Sequence, residues 1–366
     1  MSNNISFREN ILQIKPYVPG KPIEYVQREF GLTDVIKLAS NENPLGPSPK
    51  AIKAMQEAAV KMNLYPDGYC TDLRTMVAEE LDVPENYLIF GNGSDEVIRL
   101  IGQTFIRPGD EIVVADPSFV EYDFVCYLLG GNLIKIPVEN FTHNLRQMAQ
   151  AITDKTKIVF ICNPNNPTGT MVTSSEVEEF LSKVPDHVLV VFDEAYYEYV
   201  DDETYPDSLG YIKKGRNNII ALRTFSKIHG LAGLRLGYGI AVPELIQLIQ
   251  RTKEPFNANL MAQVAAMASL QDKEHLLRSR DTNKKGKEYL YKSFTEMGLE
   301  YIPTQGNFMM VNISRHSQEV FVEMQKRGVI VRTGDIFGLD NFIRVTIGTQ
   351  EQNERFINVL KEILRT

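Results

Sequence analysis

Four short segments of the sequence place reactive or charged side chains directly after runs of apolar residues. These segments are Gly91-Asn-Gly-Ser-Asp95, Cys162-Asn-Pro-Asn-Asn166, Asp193-Glu-Ala-Tyr196 and Arg223-Thr-Phe-Ser-Lys227. Continuous apolar runs are typical of strands that are buried on both faces of a sheet. Because ligands of such sheets bind outside the carboxyl ends of the strands, the four segments predict one shared site.

The lysine at the end of the fourth segment is a candidate nucleophile. Lys227 lies among small and apolar residues, and desolvation there would lower the pKa of its amine and favour a Schiff base with a carbonyl. Thr224, Ser226 and Arg235 add groups around it that bind anions. Taken alone, Lys227 fits a lysine held in a salt bridge equally well.

The other three segments also have simpler interpretations when each is taken alone. The amides that follow Gly93 can bind an anion at a helix N-terminus, or the segment is a plain turn with Ser94 as the N-cap. Asp193 ends a strand as a Walker B aspartate does, but no G-x-x-x-x-G-K-[ST] motif accompanies it. Asn166 lies in a rigid turn. Together the segments offer an anion cradle, a carboxylate, an amide and a lysine, the set that pyridoxal 5'-phosphate requires.

The elements that would position these segments are alternating strands and helices. Apolar runs begin near Leu88, Glu111, Leu133, Ile158, Val188, Ile219 and Leu236. Helix patterns separate them, including a capping box at Thr173-Ser-Ser-Glu176 that opens a helix through Leu181. This pattern predicts an α/β fold with a mostly parallel sheet of seven strands.

Changes in pattern along the chain divide it into three parts. Residues 1–47 are irregular and predict an N-terminal arm on the small domain; residues 48–254 predict the large cofactor-binding domain. Residues 255–366 predict a small C-terminal α+β domain. That last part contains a long helical stretch from Asn259 to about Met297, followed by three strand-like runs (Phe308–Val311, Val329–Arg332 and Phe342–Ile347).

The composition of the chain excludes several classes of function. The 366 residues carry 39 basic and 47 acidic side chains, a net charge of −8, with no block of like charge. This balance argues against a nucleic-acid or basic membrane surface. The three cysteines form no CxxC pair and the five histidines no metal-binding motif, so we expect no metal and a reducing, cytoplasmic location. The N-terminus lacks the pattern of a signal peptide, and no apolar run is long enough to span a membrane.

The motifs NPNNPTG, DEAY and TFSK followed by GLAGLR resemble those of the fold-type I pyridoxal-phosphate aminotransferases. The resemblance covers nearly the whole chain. Four further segments narrow it to the histidinol-phosphate aminotransferase family: Lys15–Lys21, Ser40–Gly46, Tyr65–Gly68 and Ile343–Gly348. Aromatic aminotransferases share many of these motifs. The resemblance implies the same fold, with a large and a small domain.

The resemblance also implies roles for individual residues. Lys227 would bind the cofactor aldehyde and later move a proton between the substrate Cα and the cofactor. Asp193 would pair with the pyridine N–H, and Asn166 and Tyr196 would bind the phenolic oxygen. The remaining cofactor-binding residues that it implies are Phe119 on the ring, Ser94, Asp95, Thr224, Ser226 and Arg235 at the phosphate, and Tyr65 from a partner subunit. The implied substrate-binding residues are Tyr17, Asn41, Arg332 and Arg344.

The resemblance implies transamination between L-histidinol phosphate and 2-oxoglutarate, giving imidazole acetol phosphate and glutamate in histidine biosynthesis. It also implies a homodimer with shared active sites. An aromatic amino-acid aminotransferase, or an enzyme serving both substrates, is the alternative with the same chemistry, and a Cα-decarboxylase is a minor one. A non-catalytic binding protein is disfavoured because cofactor binding alone needs no arginine for a substrate carboxylate. His229, two residues after the lysine, is predicted to be a packed neighbour.

Overall fold

The computed structural model describes residues 6–16 and 20–365, and strands of two sheets and one strand pair lie within these ranges. The strands are β1 (Ile36–Lys37), β2 (Leu88–Gly91), β3 (Glu111–Asp116), β4 (Asn132–Pro137), β5 (Thr156–Cys162), β6 (Leu189–Asp193), β7 (Ile219–Thr224), β8 (Gly237–Ile240), β9 (Tyr301–Ile302), β10 (Phe308–Asn312), β11 (Val329–Ile330), β12 (Arg332–Thr333) and β13 (Phe342–Thr346).

Helices separate most of these strands. They are α1 (Ile23–Phe30), α2 (Pro49–Ala58), α3 (Thr71–Leu81), α4 (Ser94–Phe105), α5 (Val120–Leu129), α6 (Leu145–Gln150), α7 (Ser174–Leu181), α8 (Ser208–Lys213), α9 (Pro243–Gln250), α10 (Leu260–Leu270), α11 (Lys273–Glu296), α12 (Ser317–Lys326) and α13 (Gln350–Arg365). The predicted capping box is confirmed, since Thr173 caps α7 and Glu176 reaches back to it. Within the described ranges, no helix is both long enough and apolar enough to span a membrane.

The predicted seven-stranded sheet is confirmed. Its order is β2-β8-β7-β6-β5-β3-β4, and its strands are parallel except for β8, which runs antiparallel to both neighbours. Alternate residues of the strands face two separate cores. Helices α4, α5 and α9 cover one face, and α2, α3, α6, α7, α8 and α10 cover the other. Burial on both faces explains why the strands read as continuous apolar runs.

The smaller unit is built on an antiparallel sheet of order β12-β13-β10-β9. Helices α11, α12 and α13 pack on it through an apolar core that includes Phe294, Met324 and Phe356. Strand β1 lies parallel to β11 at Ile36 and Val329, so a segment from the start of the chain joins this unit.

Three details differ from the sequence-based expectations. Asn10 on a short 3₁₀ helix donates to Tyr127 O on α5, so this part of the arm lies on the large unit rather than the small one. Ala262 on α10 belongs to the core of the large sheet, which therefore extends past the predicted boundary at residue 254. The stretch expected to be helical from Asn259 breaks before α11, where the Asp272 side chain caps the new helix by accepting from His275 N.

Candidate active site

A cavity of about 900 Å³ opens at the carboxyl ends of β5, β6 and β7. Its walls come from segments far apart in the chain, including the first turn of α4 and strand β13. The predicted site residues that line it are Asn41, Ser94, Asp95, Phe119, Asn166, Asp193, Tyr196, Thr224, Ser226, Lys227, Arg235, Arg332 and Arg344. The topology therefore brings the four chemistry-bearing segments together at one edge of the sheet.

Asp193 lies in the inner wall of this cavity at the end of β6. Its side chain is only 2% exposed and accepts hydrogen bonds from Tyr122 Oη at 2.8 Å and from Ala195 N at 3.2 Å. Burial raises the pKa of Asp193 to about 6, although the Tyr122 hydrogen bond opposes this rise. A carboxylate held this way is suited to pair with a buried cation or with an N–H group.

Lys227 follows β7 and its amine is enclosed by the cavity wall. Its Nζ lies 5.5 Å from the centre of the Tyr196 ring. Burial, and then the positive charge of Arg344, lower the pKa of Lys227 to about 8. About one tenth of this amine is therefore uncharged at pH 7, against well under one thousandth at its ordinary pKa. The uncharged amine is the state that attacks a carbonyl carbon.

An anion cradle lies between the start of α4 and the loop after β7. Arg235 donates from Nη2 to Asp95 Oδ2 at 2.9 Å and from Nη1 to Ser226 Oγ at 3.4 Å. Gly93 has a φ of 86°, and a Cβ there would lie 2.6 Å from Arg235 Nη2. Glycine is therefore required for the guanidinium to reach the helix N-terminus. Gly93 occupies the N-cap position and Ser94 is the first helical residue, so the alternative with Ser94 as the N-cap is wrong.

Arg344 on β13 reaches the opposite wall of the cavity. It is 7% exposed and donates from Nη1 to Asn166 Oδ1 at 2.5 Å and from Nη2 to Ala39 O at 3.0 Å. Its guanidinium carbon lies 5.3 Å from the centre of the Phe308 ring. These contacts fix a buried positive charge beside the segment that follows β5.

Two aromatic residues complete the walls. Phe119 directly precedes α5 and packs edge-on against Tyr122, with the ring centres 5.7 Å apart. Tyr196 is buried, and its hydroxyl accepts a hydrogen bond from Asn41 Nδ2 at 3.0 Å. Burial raises the pKa of Tyr196 above its ordinary value, so this hydroxyl keeps its proton and can donate it.

Three predicted residues need separate comment. Arg332 lines the cavity from β12, beside Asp335 and Ile336. Tyr65 lies outside this cavity: it is 83% exposed and stacks on Phe256 with the ring centres 4.7 Å apart. Tyr17 lies outside the described residues.

The structure also shows residues at the site that the sequence motifs did not indicate. Tyr122 donates a hydrogen bond to Asp193, Glu121 lines the cavity, and Ala39 O accepts a hydrogen bond from Arg344. Tyr122 follows Phe119 by three residues, one helical turn, and this spacing was the available signal. His229 does not line the cavity; its Nδ1 lies 2.8 Å from Ser269 Oγ on α10, and burial lowers its pKa to about 3.

Pyridoxal phosphate fits the residues of this cavity. The Arg235 cradle, in which even a Cβ at Gly93 would clash, suits its phosphate, and Asp193 suits the pyridine N–H. Tyr196 can donate to its phenolic oxygen, while Lys227 supplies an amine for its aldehyde. By contrast, the described residues contain no group of three or more His, Cys, Asp or Glu side chains that could hold a metal ion.

Comparison with known proteins agrees with the sequence-based assignment to the aminotransferases. A family model described as aminotransferase class I and II matches residues 33–360. A histidinol-phosphate aminotransferase of Moorella thermoacetica is 60% identical over 357 residues, which is 98% of this chain and 92% of that protein. A protein of the same name from Caldicellulosiruptor saccharolyticus is 49% identical, over 98% of this chain and 100% of that protein.

Solved structures show the same fold. A histidinol-phosphate aminotransferase from Sinorhizobium meliloti, in complex with pyridoxal 5'-phosphate, superimposes with a TM-score of 0.91 and covers 99% of each chain. The two sequences are 24% identical, so this likeness concerns the fold.

Proposed function

Because the chain belongs to the class I and II aminotransferases, and within them to the histidinol-phosphate aminotransferases, we propose that it transfers the amino group of L-histidinol phosphate to 2-oxoglutarate. The products are imidazole acetol phosphate and glutamate, and the reaction is a step of histidine biosynthesis. The observation that carries this proposal is the meeting of Lys227, Asp193 and Arg344 in one cavity.

The cofactor of this reaction is pyridoxal 5'-phosphate, which when bound supplies an aldehyde for the amine and a ring that accepts electrons. Arg235, with Ser94 and Ser226 beside it, would hold the phosphate. Asp193 would hold a proton on the pyridine nitrogen, since the carboxylate is fixed by Tyr122 and faces a buried cavity. Phe119 would lie against the ring face, and Thr224 beside the phosphate.

Lys227 would carry out the proton transfer at the substrate Cα. Its lowered pKa leaves the amine able to take that proton, and its place in the cavity wall keeps it close. Tyr196 and Asn166 would orient the phenolic oxygen, one by donating a hydroxyl proton and the other an amide proton.

Substrate binding would depend on two arginines from neighbouring strands. Arg344 would bind the α-carboxylate of glutamate, because a guanidinium matches a carboxylate bidentately. Histidinol phosphate has no α-carboxylate, so its phosphate would be held by Arg344 and Arg332 together. Strand pairing supports this, since Arg332 and Arg344 are direct partners in the β12–β13 ladder. Tyr17 and Asn41 are the further residues proposed to contact substrate.

We also propose a homodimer with composite sites in the cytoplasm. Val60, Leu64, Tyr65 and Tyr69 are exposed apolar side chains close together in the chain, and the Tyr65 ring, which is 83% exposed, stacks on the exposed Phe256. Lys253 donates to Gly68 O at 2.8 Å, which links the segment that carries Tyr65 to the segment that carries Phe256. We propose that a second copy covers these side chains and that Tyr65 then lies at the phosphate cradle of the partner, as the family resemblance implies.

Borohydride labelling tests the position of the cofactor. After loading with pyridoxal phosphate and reduction, peptide mapping should find the label on Lys227. A label on Lys157 or Lys253 instead would contradict the proposal. Lys227→Ala should still bind the cofactor through its phosphate but lose transamination by at least about 10²-fold, the usual contribution of a general base.

Half-reactions test the substrate. Histidinol phosphate, phenylalanine and glutamate are each mixed with the loaded enzyme, and kcat/KM is compared. We expect histidinol phosphate to react best as the amino donor. Glutamate should also donate its amino group, which is the reverse of the half-reaction in which 2-oxoglutarate accepts it. A clear preference for phenylalanine over histidinol phosphate would favour the aromatic aminotransferase alternative.

A further inference from the structure

Asn41 occupies a buried position that joins three parts of the chain. It lies between β1 and α2, is 1% exposed and has a φ of 57°. Asparagine tolerates this left-handed backbone better than most residues. Its backbone N donates to Thr346 Oγ1 at 2.9 Å, and its backbone O accepts from Asn307 Nδ2 at 2.9 Å.

The Asn41 side chain has a defined orientation. Thr346 Oγ1 accepts from Asn41 N, so its own hydrogen is available to donate to Asn41 Oδ1, at 3.3 Å. This contact directs Nδ2 to the other side, where it lies 3.0 Å from Tyr196 Oη. An amide nitrogen donates and does not accept, so the Tyr196 oxygen must be the acceptor in this contact.

The hydrogen of the Tyr196 hydroxyl is thereby directed away from Asn41. Among the described residues, Asn41 is the side chain that forms a hydrogen bond with this hydroxyl. The Tyr196 ring lies in the cavity wall, 5.5 Å from Lys227 Nζ. The remaining direction for the hydroxyl hydrogen is into the cavity.

We propose that Asn41 is a positioning residue, which aims the Tyr196 hydroxyl at the cofactor's phenolic oxygen. This inference rests on the proposed function. Asn41 acts through Tyr196, while Thr346 fixes Asn41. Because Thr346 and Arg344 share β13, the strand that would bind substrate also sets the donor that faces the cofactor.

The test is a double-mutant cycle that combines Asn41→Asp with Tyr196→Phe. A carboxylate at position 41 accepts where the amide donated, so it turns the hydroxyl hydrogen away from the cavity. The readout is the pH midpoint of the visible absorbance of the enzyme loaded with pyridoxal phosphate. The added negative charge shifts this midpoint in both backgrounds, whereas loss of the hydrogen bond from Tyr196 shifts it only where the hydroxyl is present.

We expect the upward shift caused by Asn41→Asp to be about one pH unit larger when Tyr196 is present than in the Tyr196→Phe background, a tenfold difference in proton affinity. Equal shifts in the two backgrounds would overturn the inference and leave the proposed function intact. A wild-type protein that develops no visible band with pyridoxal phosphate would overturn both.

A second variant keeps the test decisive if Asn41→Asp does not fold. Thr346→Val preserves side-chain shape, adds no charge and removes the hydroxyl that orients Asn41. It should raise the midpoint in the wild-type background and leave it unchanged in the Tyr196→Phe background. An unchanged midpoint in both backgrounds would contradict the proposed chain of contacts.

Discussion

Arg344 Nη1 donates a hydrogen bond to Asn166 Oδ1 at 2.5 Å, which ties the last strand of the small sheet to the turn that follows β5 of the large sheet. The two residues are 178 positions apart in the chain. Since Oδ1 of Asn166 is occupied by the guanidinium, its amide Nδ2 is the atom left to face the cavity. A residue proposed to bind substrate thus orients one proposed to bind the cofactor.

Arg344→Lys should impair both half-reactions. Lysine keeps the positive charge but loses the fork that contacts Asn166 and Ala39 O and that we propose also binds a substrate oxyanion. We expect kcat/KM to fall by about 10- to 100-fold for glutamate and for histidinol phosphate, equivalent to one charged hydrogen bond of about 1.5–3 kcal/mol. Arg315→Lys, outside the cavity, is the matched control. Full activity of Arg344→Lys with both substrates would exclude this role.

Arg332→Ala should impair the reaction of histidinol phosphate more than that of phenylalanine. Its charge lies beside Arg344 and matters most for a dianionic phosphate, so kcat/KM for histidinol phosphate should fall by about 10- to 100-fold. Phenylalanine, which carries no phosphate, should react nearly as before. Arg327→Ala serves as the control, because Arg327 pairs with Glu323 away from the cavity. Equal losses of kcat/KM with both substrates would show that Arg332 does not bind the substrate phosphate.

Asp193→Asn should stabilise the cofactor-free protein against unfolding and impair transamination. Burial holds the pKa of Asp193 near 6 in the folded cofactor-free protein, above about 3.9 in the unfolded chain. The folded state therefore binds this proton more tightly, and the free energy of unfolding declines as pH rises from about 4 to 6. Asn has no such dependence, so the cofactor-free variant should be more stable than wild type at pH 8, by about 1–3 kcal/mol.

Urea unfolding at pH 4 and pH 8 measures this difference, with the exposed Asp186→Asn as control. The gain in stability should shrink toward pH 4. The same Asp193→Asn protein should bind pyridoxal phosphate more weakly and lose most transamination, since its side chain no longer carries the charge that we propose pairs with the pyridine N–H. Equal stability of variant and wild type at pH 8 would contradict a pKa of Asp193 that burial raises in the folded protein.

Mixing two impaired variants tests the composite site. Lys227→Ala lacks the amine, and Tyr65→Ala lacks the ring proposed to enter the partner's cavity. In a mixed dimer, one site would contain both native residues, so activity should rise above that of either variant alone. Tyr65→Phe keeps the ring and removes the hydroxyl, so it distinguishes the contributions of the two groups. No gain on mixing, or a fully active monomer in sedimentation at micromolar concentration, would contradict shared sites.

Much of this fold could be predicted because burial leaves a simple pattern. The strand that ends at Asp193 and the strand that precedes Lys227 are continuous apolar runs followed by polar residues. The alternation of such runs with helix patterns predicted the sheet. The direction of β8 was not predictable, because a buried antiparallel strand has the same apolar pattern as a parallel one. The break at Asp272 was also hidden, since a cap residue within a helical pattern looks like a surface position.

The site was only partly accessible from sequence. Motifs predicted which residues carry reactive groups, but not which groups orient them. Tyr122 reaches Asp193 across 71 positions and Asn41 reaches Thr346 across 305, and no local spacing encodes such contacts. The exposure of Tyr65 and the pairing of Arg332 with Arg344 likewise depend on tertiary packing.

The link between residues 39–41 and β13 has a consequence for synthesis of the protein. Ala39 and Asn41 leave the ribosome early, whereas Arg344 and Thr346, their partners, emerge some 300 residues later. A nascent chain that has exposed residues up to about 300 can pair every strand of the large sheet, yet it lacks Arg344, the arginine proposed for a substrate oxyanion, and Thr346, whose hydroxyl contacts Asn41. We therefore expect the large sheet, with the residues proposed to hold the cofactor, to form first, and the arginine proposed to bind substrate to join it only with the last strand.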